Sequence, residues 1–365
     1  MRRLPLLAAL ALGPALVLAG CGASPTTSPA PASPTPAAGH VQPTGTPAVL
    51  ATDLDLPWSM VRVGEATLIS QRDDAHIARI DAAGTVSDLG QVPGVKPGAE
   101  GGLLGLATVD LDGTTWIYAY LTSPDDNRIV RMPYVDDRLG EPEVVLSGIA
   151  KAGNHNGGRI AFGPDGMLYA TVGDAENADS SQDPESLNGK ILRLTPEGEV
   201  PDDNPFAGSF VYSLGHRNPQ GIAWDADGQL WAAEFGQNTW DEFNRIEAGA
   251  NYGWPIVEGQ GGVDGYVDPV LQWATSEASP SGLAYLDGTF FLAALRGERI
   301  WSIDVADDGS AAATPWFVGE FGRIRDIAAG PDGSMWFLTS NTSTNGTPRE
   351  GDDKLLRVEL TASGS

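Results

Sequence analysis

The chain has 365 residues, 41% of them hydrophobic, with ten Trp, ten Phe and eight Tyr, which is too much apolar and aromatic material for a disordered protein. A single Cys excludes a disulfide framework, and 48 acidic against 22 basic residues, a net charge of −26, set the surface against nucleic acid as a partner. The 46 Gly and 27 Pro beside only 19% charged residues favour strands and turns over long helices.

Arg2 and Arg3 open the chain, and the apolar run from Leu4 to Leu18 has the length of a signal sequence rather than of a membrane span. The run ends in Leu18-Ala19-Gly20-Cys21, which resembles the bacterial lipobox, where the Cys takes a lipid and becomes the mature N-terminus. The alternative is an ordinary secretory signal with an incidental Cys. Residues 1–21 are therefore expected to be a lipoprotein signal. Residues 22–47, rich in Pro, Ser, Thr and Ala, are expected to be an extended tether that packs no core. The expected location is the outer face of the bacterial cell membrane, touched only through the lipid on Cys21.

From residue 48 to 361 a hairpin pattern recurs: a short apolar strand, a turn with Gly or Asp-Gly, and a second strand rich in aromatic residues. The copies fall at 60–71, 106–121, 160–173, 222–236, 283–295 and 327–340. Asp-Gly between apolar runs is a strong hairpin signal. Six copies at the spacing of propeller blades predict an all-β fold, a six-bladed β-propeller, in preference to a sandwich or paired barrels. In such a fold, ligand sites gather where loops from several blades meet over the central channel.

Four segments near predicted strand ends carry chemical possibilities. His155 sits in the Gly-flanked loop Asn154-His155-Asn156-Gly157-Gly158, and hairpin geometry brings Asp174 beside it. A carboxylate on one imidazole nitrogen fixes the tautomer and frees the other nitrogen to take a proton, although a histidine that merely closes a turn has the same sequence. Arg217 and Asn218, before Pro219, suit a rigid fork toward a carboxylate or carbonyl, or a surface salt bridge. The stretch from Glu234 to Asn244, followed by Asn251-Tyr252-Gly253-Trp254-Pro255, offers oxygen ligands for a hard cation or simply an acidic turn. Arg323 and Arg325, two apart on a predicted strand, point the same way, toward an anionic ligand or toward neighbouring acids.

Taken together, these segments resemble the soluble quinoprotein sugar dehydrogenases, the PQQ-dependent glucose/sorbosone (aldose) dehydrogenase family. The resemblance runs from about Leu56 to Val358. It is carried by Glu100-Gly101-Gly102-Leu103-Leu104-Gly105, the His155 to Asp174 segment, Gly189-Lys190-Ile191-Leu192-Arg193-Leu194, Gly215-His216-Arg217-Asn218-Pro219-Gln220-Gly221 and the Asn251 to Pro255 run. It implies a six-bladed propeller that holds pyrroloquinoline quinone (PQQ) and Ca2+ and oxidises aldose sugars at the anomeric carbon to lactones. By motif, it implies His155 as general base with Asp174 orienting it. Arg217 and Asn218 would contact the quinone oxygens, and Arg323 and Arg325 its carboxylates. Gly236 and Gln237 would offer backbone carbonyls to the bridging calcium, and Glu242 and Tyr252 would hold a further calcium. The electron acceptor is not encoded in these motifs.

Three departures bear on substrate choice. Arg296 stands where the family has a cofactor-binding Lys, Glu100 where the glucose-oxidising branch has Gln, and Asn154 where that branch has an acid before the catalytic His. The loop from Asp174 to Gly189 is also short, which should leave the mouth open. The alternative function is a non-catalytic extracellular propeller that binds sugar or protein, since fold alone does not fix function. A calcium-dependent lactone hydrolase would need a ring of side-chain carboxylates that these segments do not supply.

Overall fold

Alternating buried and exposed positions, short strands and frequent positive-φ glycines leave almost no room for helix. Among the described residues the helical content is a single 3-10 turn, Ala178–Ser181. The computed structural model describes residues 39–363. Cys21, the expected lipid-bearing residue, and most of the expected tether lie outside the described residues.

Six antiparallel sheets follow one another, each with four main strands; five take theirs in sequence order, the sixth borrows its outer strand from the N-terminal end of the described residues, and blade 2 carries an extra short strand. Blade 1 begins with Pro57–Val63, blade 2 with Leu103–Leu111, blade 3 with Ile160–Phe162, blade 4 with Pro219–Trp224, blade 5 with Pro280–Leu286 and blade 6 with Ile324–Ala329. These first strands touch in succession, and blade 6 returns to blade 1, so the ring is closed. All six expected hairpins are the first two strands of a blade. The second strands are nearly continuous apolar runs because both of their faces are covered by neighbouring blades. Leu168–Val172, Thr289–Ala294 and Met335–Thr339 are buried throughout.

Each junction between blades holds its own buried apolar cluster. Tyr118, Tyr120 and Leu168 pack between blades 2 and 3, and Trp231, Phe243 and Phe290 between blades 4 and 5. The other four junctions are filled in the same way. The core is therefore a ring of interfaces that holds the loops at one end of the channel in fixed relation.

The ring is closed by the N-terminal strand Val41–Ala51, which pairs antiparallel with the last strand, Leu355–Ala362. This corrects the expected boundary: residues 41–47 are part of blade 6, not of the tether. The stretch reads as linker because it is an outer edge strand. Its affinity for the sheet comes from backbone hydrogen bonds, so Pro43, Gly45 and Pro47 are tolerated at a bulge on an open edge. A chain beginning at Val49 loses the pairs from Val41↔Ala362 to Thr44↔Glu359 and the pair Ala48↔Arg357, with Pro43 contributing no amide donor. It is expected to lose about 4 kcal/mol of unfolding free energy, at roughly 1 kcal/mol per ladder hydrogen bond. A chain beginning at Gly39 should keep full stability, and denaturant unfolding of the two compares them directly.

Candidate active site

The loop before blade 3 is drawn onto the second strand of that blade by glycine. A side chain on Gly157 would strike the backbone of Thr171, Val172 and Gly173, and one on Gly173 would strike the His155 carbonyl. Both segments therefore approach at backbone distance. His155 adopts a left-handed conformation (φ 59°), and its carbonyl accepts the Ala175 amide at 3.1 Å. Its own amide donates to Glu100 Oε2 at 3.0 Å.

This arrangement sets His155 Nδ1 2.7 Å from Asp174 Oδ1. The imidazole is 19% exposed and the Asp174 side chain 2%, so the ring reaches solvent while its partner does not. Burial alone would raise the Asp174 carboxyl. Hydrogen bonds and charge from His155, with further hydrogen bonds from Trp254 Nε1 at 2.9 Å and the Glu176 amide at 2.9 Å, outweigh burial and hold it below the usual range. An ionised carboxylate only accepts, so the shared hydrogen belongs to Nδ1, and in the neutral ring it is Nε2 that carries the lone pair.

Arg217 joins this group through Trp254. Its guanidinium lies 5.4 Å from the Trp254 ring centroid, and its carbonyl accepts the Asp174 amide at 2.8 Å. The Arg217 Nε is buried without a hydrogen-bond partner, and burial pushes the group's pKa down despite the surrounding acids. Asn218 turns its Oδ1 to the Gly157 amide at 3.0 Å and so ties this loop to the His155 loop. His216, in the same run, is a structural residue: it is fully buried, bonded to Glu234 and Ser213, and stacked on Tyr252.

Beside His155 opens a cavity of about 510 Å³ whose walls include Glu100, Asn154, Arg296, Arg323 and Arg325. Five residues expected or flagged from sequence thus meet in one place. His155 and Arg217 border the same group of residues without lining that cavity. Arg325 is buried, bonded only to Gln220 Oε1 at 3.1 Å and Ser281 Oγ at 3.3 Å, and its Nε has no partner. Burial, with the charges of Arg72, Arg323 and Arg159, pushes its pKa down to about 9, and Glu100 opposes this. The Arg323 Nε is likewise buried and unpartnered. Arg296 lies exposed at the lip.

The expected metal residues fall in an adjoining crevice lined by Gly236, Glu242 and Tyr252, together with Arg217, Trp254 and Glu258. Gln237 is next to it, its amide donating to Glu258 Oε1 at 2.8 Å; that oxygen also collects the amides of Asn238, Thr239 and Trp240. Glu242 is buried, and desolvation with the Glu234 charge pushes its pKa up to about 8. The Tyr252 hydroxyl is already engaged, donating to the Arg245 carbonyl and accepting from the Glu247 amide, so this residue has only its carbonyl to offer a cation. Among the described residues, no three His, Cys, Asp or Glu side chains converge as a metal site.

Sequence reasoning missed several participants. Trp58 forms part of the cavity wall, with Arg159 4.4 Å from its ring centroid and Arg325 at 5.8 Å. Arg72 and Glu258 were also unmarked, and Gln220 stood in a quoted motif without a role of its own. Nothing in their local sequence distinguishes them, because their partners lie in other blades.

The model of the family "Glucose / Sorbosone dehydrogenase" matches residues 54–349. The PQQ-bound form of an aldose sugar dehydrogenase from Streptomyces coelicolor is 49% identical, with a TM-score of 0.84 over 89% of this chain and 99% of that one. A putative glucose dehydrogenase from Thermus thermophilus is 38% identical, with a TM-score of 0.80 over 86% of this chain and 99% of its own. The aldose sugar dehydrogenase YliI of Escherichia coli is 31% identical over 334 residues, 81% of this chain and 90% of that protein. With a closed six-bladed ring, an oriented His–Asp pair and a family match across most of its length, the chain belongs to the glucose/sorbosone dehydrogenase family.

Proposed function

We propose that the protein is a PQQ- and calcium-dependent aldose dehydrogenase that oxidises the anomeric carbon of the sugar to a lactone. The observation that carries this reading is the buried, unpartnered Nε of each of Arg217, Arg323 and Arg325, none of them ion-paired among the described residues (Arg159, whose Nη2 is also unpartnered, has Asp326), in a protein of net charge −26. Buried cations lacking counterions are costly, and a multiply ionised ligand relieves that cost. PQQ carries several carboxylates, so the residues fit it. Arg323, Arg325 and Arg296 would hold the carboxylates, and Arg217 with Asn218 the ring oxygens. Bound there, the quinone supplies a two-electron hydride acceptor.

Calcium also fits. Asn244 Oδ1 is a buried acceptor with no donor, and Asn244 Nδ2 bonds Glu242, whose carboxyl is poorly solvated. Glu242 and the Tyr252 carbonyl would hold one ion, and the Gly236 and Gln237 carbonyls another. A calcium ion at the second position supplies Lewis acidity.

The chain's own part in the chemistry is proton removal. His155 Nε2 accepts the proton of the anomeric hydroxyl, and the imidazolium that forms faces the ionised Asp174 at Nδ1. Trp254 fixes the second Asp174 oxygen, so neither ring nor carboxylate reorganises as charge develops. A purely binding propeller has no use for a base oriented in this way. The anchor on Cys21 and display outside the cell complete the proposal and rest on the N-terminal sequence alone.

Purified protein reconstituted with PQQ and Ca2+ should reduce an artificial dye in the presence of aldoses, and calcium chelation should remove most of that activity. Failure to oxidise any aldose across a broad panel would overturn the reading and favour a binding protein.

A further inference from the structure

His155 precedes the first strand of blade 3, Ile160–Phe162, so the turn that follows this strand lies at the other end of the propeller from the base. The corresponding turn of blade 4 lies beside it. Between them is a second cavity, of about 290 Å³, whose walls include Asp165, Tyr169, Tyr212, Trp224, Gln229 and Glu247. Three rings shape it. Tyr169 is buried and meets Tyr212 and Trp224 edge to face, with centroids 5.2 and 5.1 Å away and interplanar angles of 79° and 73°. The outer two rings thus stand nearly perpendicular to Tyr169, and both are only half-buried. A side chain on Gly163 would come within 2.8 Å of the Tyr169 ring and 3.1 Å of the Trp224 ring, so glycine lets both rings close on the turn.

The polar groups around the rings are mostly acceptors. Asp165 Oδ2 takes the Tyr169 hydroxyl at 3.0 Å and Arg193 Nε at 2.9 Å, and Glu247 is exposed at the rim. Gln229 uses its amide nitrogen on the Leu230 and Ile246 carbonyls, which leaves Oε1 to accept. The Trp224 indole N–H has no hydrogen-bond partner among the described residues. Nothing in the chemistry at the mouth uses this end of the molecule.

We infer that this aromatic slot is a second carbohydrate site, which binds a neutral pyranose unit at the end of the propeller remote from His155. The ligand class follows from the walls. An aromatic face carries negative charge and takes the C–H side of a sugar ring. Acceptors without donors take hydroxyl groups, which a sugar supplies around its edge and a planar heterocycle does not. Asp165 and Glu247, in a protein of net charge −26, turn away sugar acids and phosphates. The volume is at the small end of ligand pockets, which suits a single ring or the end of a chain. The site needs neither quinone nor calcium, so it stands apart from the aldose dehydrogenase reading.

The test uses the whole purified protein without cofactor and methyl β-D-glucopyranoside, whose blocked anomeric oxygen keeps it out of the oxidation. In a spectrum of isotope-labelled indole nitrogens, the Trp224 signal is identified by its absence from Trp224→Ala. That signal should shift and saturate with a Kd of about 1–20 mM, the range of a few weak contacts. By calorimetry, Trp224→Ala should weaken binding about tenfold through loss of the stacked face. Ala248→Trp, which fills the slot from its exposed edge and keeps all three rings, should weaken it as much. Aldose turnover of both variants as holoenzymes should stay within about twofold of wild type, since the two sites share no partners. A Trp224 signal unmoved at about 50 mM glycoside, or equal affinity in wild type and both variants, would overturn the site. Binding of adenosine but not of glycoside, with the same response to both variants, would overturn the sugar assignment. Should the wild-type holoenzyme oxidise no aldose, only the functional reading falls, and glycoside binding still decides this one.

Discussion

Replacing His155 with Gln is expected to lower aldose turnover about a thousandfold, within the range that a positioned general base contributes. Affinity for the quinone should stay within about threefold of wild type. Two separate sets of residues share one mouth. His155 makes its side-chain contact with Asp174 and its backbone contacts with Glu100 and Ala175, and it bonds none of the arginines. Glutamine cannot take the proton, but it keeps a polar group of similar reach toward Asp174. Asp174→Asn should show a comparable loss for a different reason. An amide at that position presents a donor to Nδ1 as readily as an acceptor, which allows the hydrogen to move to Nε2 and removes the lone pair the sugar needs. Steady-state kinetics alongside quinone titration by absorbance would separate the two functions. Wild-type turnover in His155→Gln would remove this residue from the mechanism.

The His–Asp pair was legible in the sequence because hairpin register is local. Ile160 pairs with Ala170, and continuing that ladder outward sets residue 155 opposite 175, beside Asp174. The six blades were legible for the same reason. Their first two strands are joined by turns whose Gly and Asp residues announce themselves, and their apolar runs reflect burial on both faces. The closing strand Val41–Ala51 was not legible, since its place is set by backbone pairing with residues some 300 positions away and its side chains are largely exposed.

The arginine set lies between these extremes. That Arg323 and Arg325 face one way follows from strand alternation, and the structure places both on the cavity. Whether nearby acids neutralise them is a question that local sequence leaves open, because Asp326 follows directly. The fold answers it: Asp326 points to the other side of the strand and pairs with Arg159 at 3.0 Å, which leaves Arg325 with neutral partners only. Gln220 and Ser281, which receive it, come from blades 4 and 5.

That division of partners leads to the second large effect. Arg325→Met should raise the stability of the protein without cofactor and sharply weaken its grip on the quinone. Arg325 is buried, its Nε lacks an acceptor, and three further guanidinium groups repel it, so its charge is a net cost to the empty fold. Replacing a buried, poorly compensated ion with an apolar side chain of similar volume commonly stabilises by about 1–4 kcal/mol. In the complex the sign reverses. The ligand carboxylate would lose a desolvated charge partner, a loss of about 2–5 kcal/mol, or roughly thirtyfold to several thousandfold in affinity. Arg159→Met provides the control. That guanidinium already has Asp326, so removing it strands a buried carboxylate and should destabilise the empty fold instead. Denaturant unfolding of both variants without cofactor, followed by quinone titration, reads the two signs independently. A destabilised Arg325→Met that bound quinone as tightly as wild type would show that the charge serves the fold rather than the ligand.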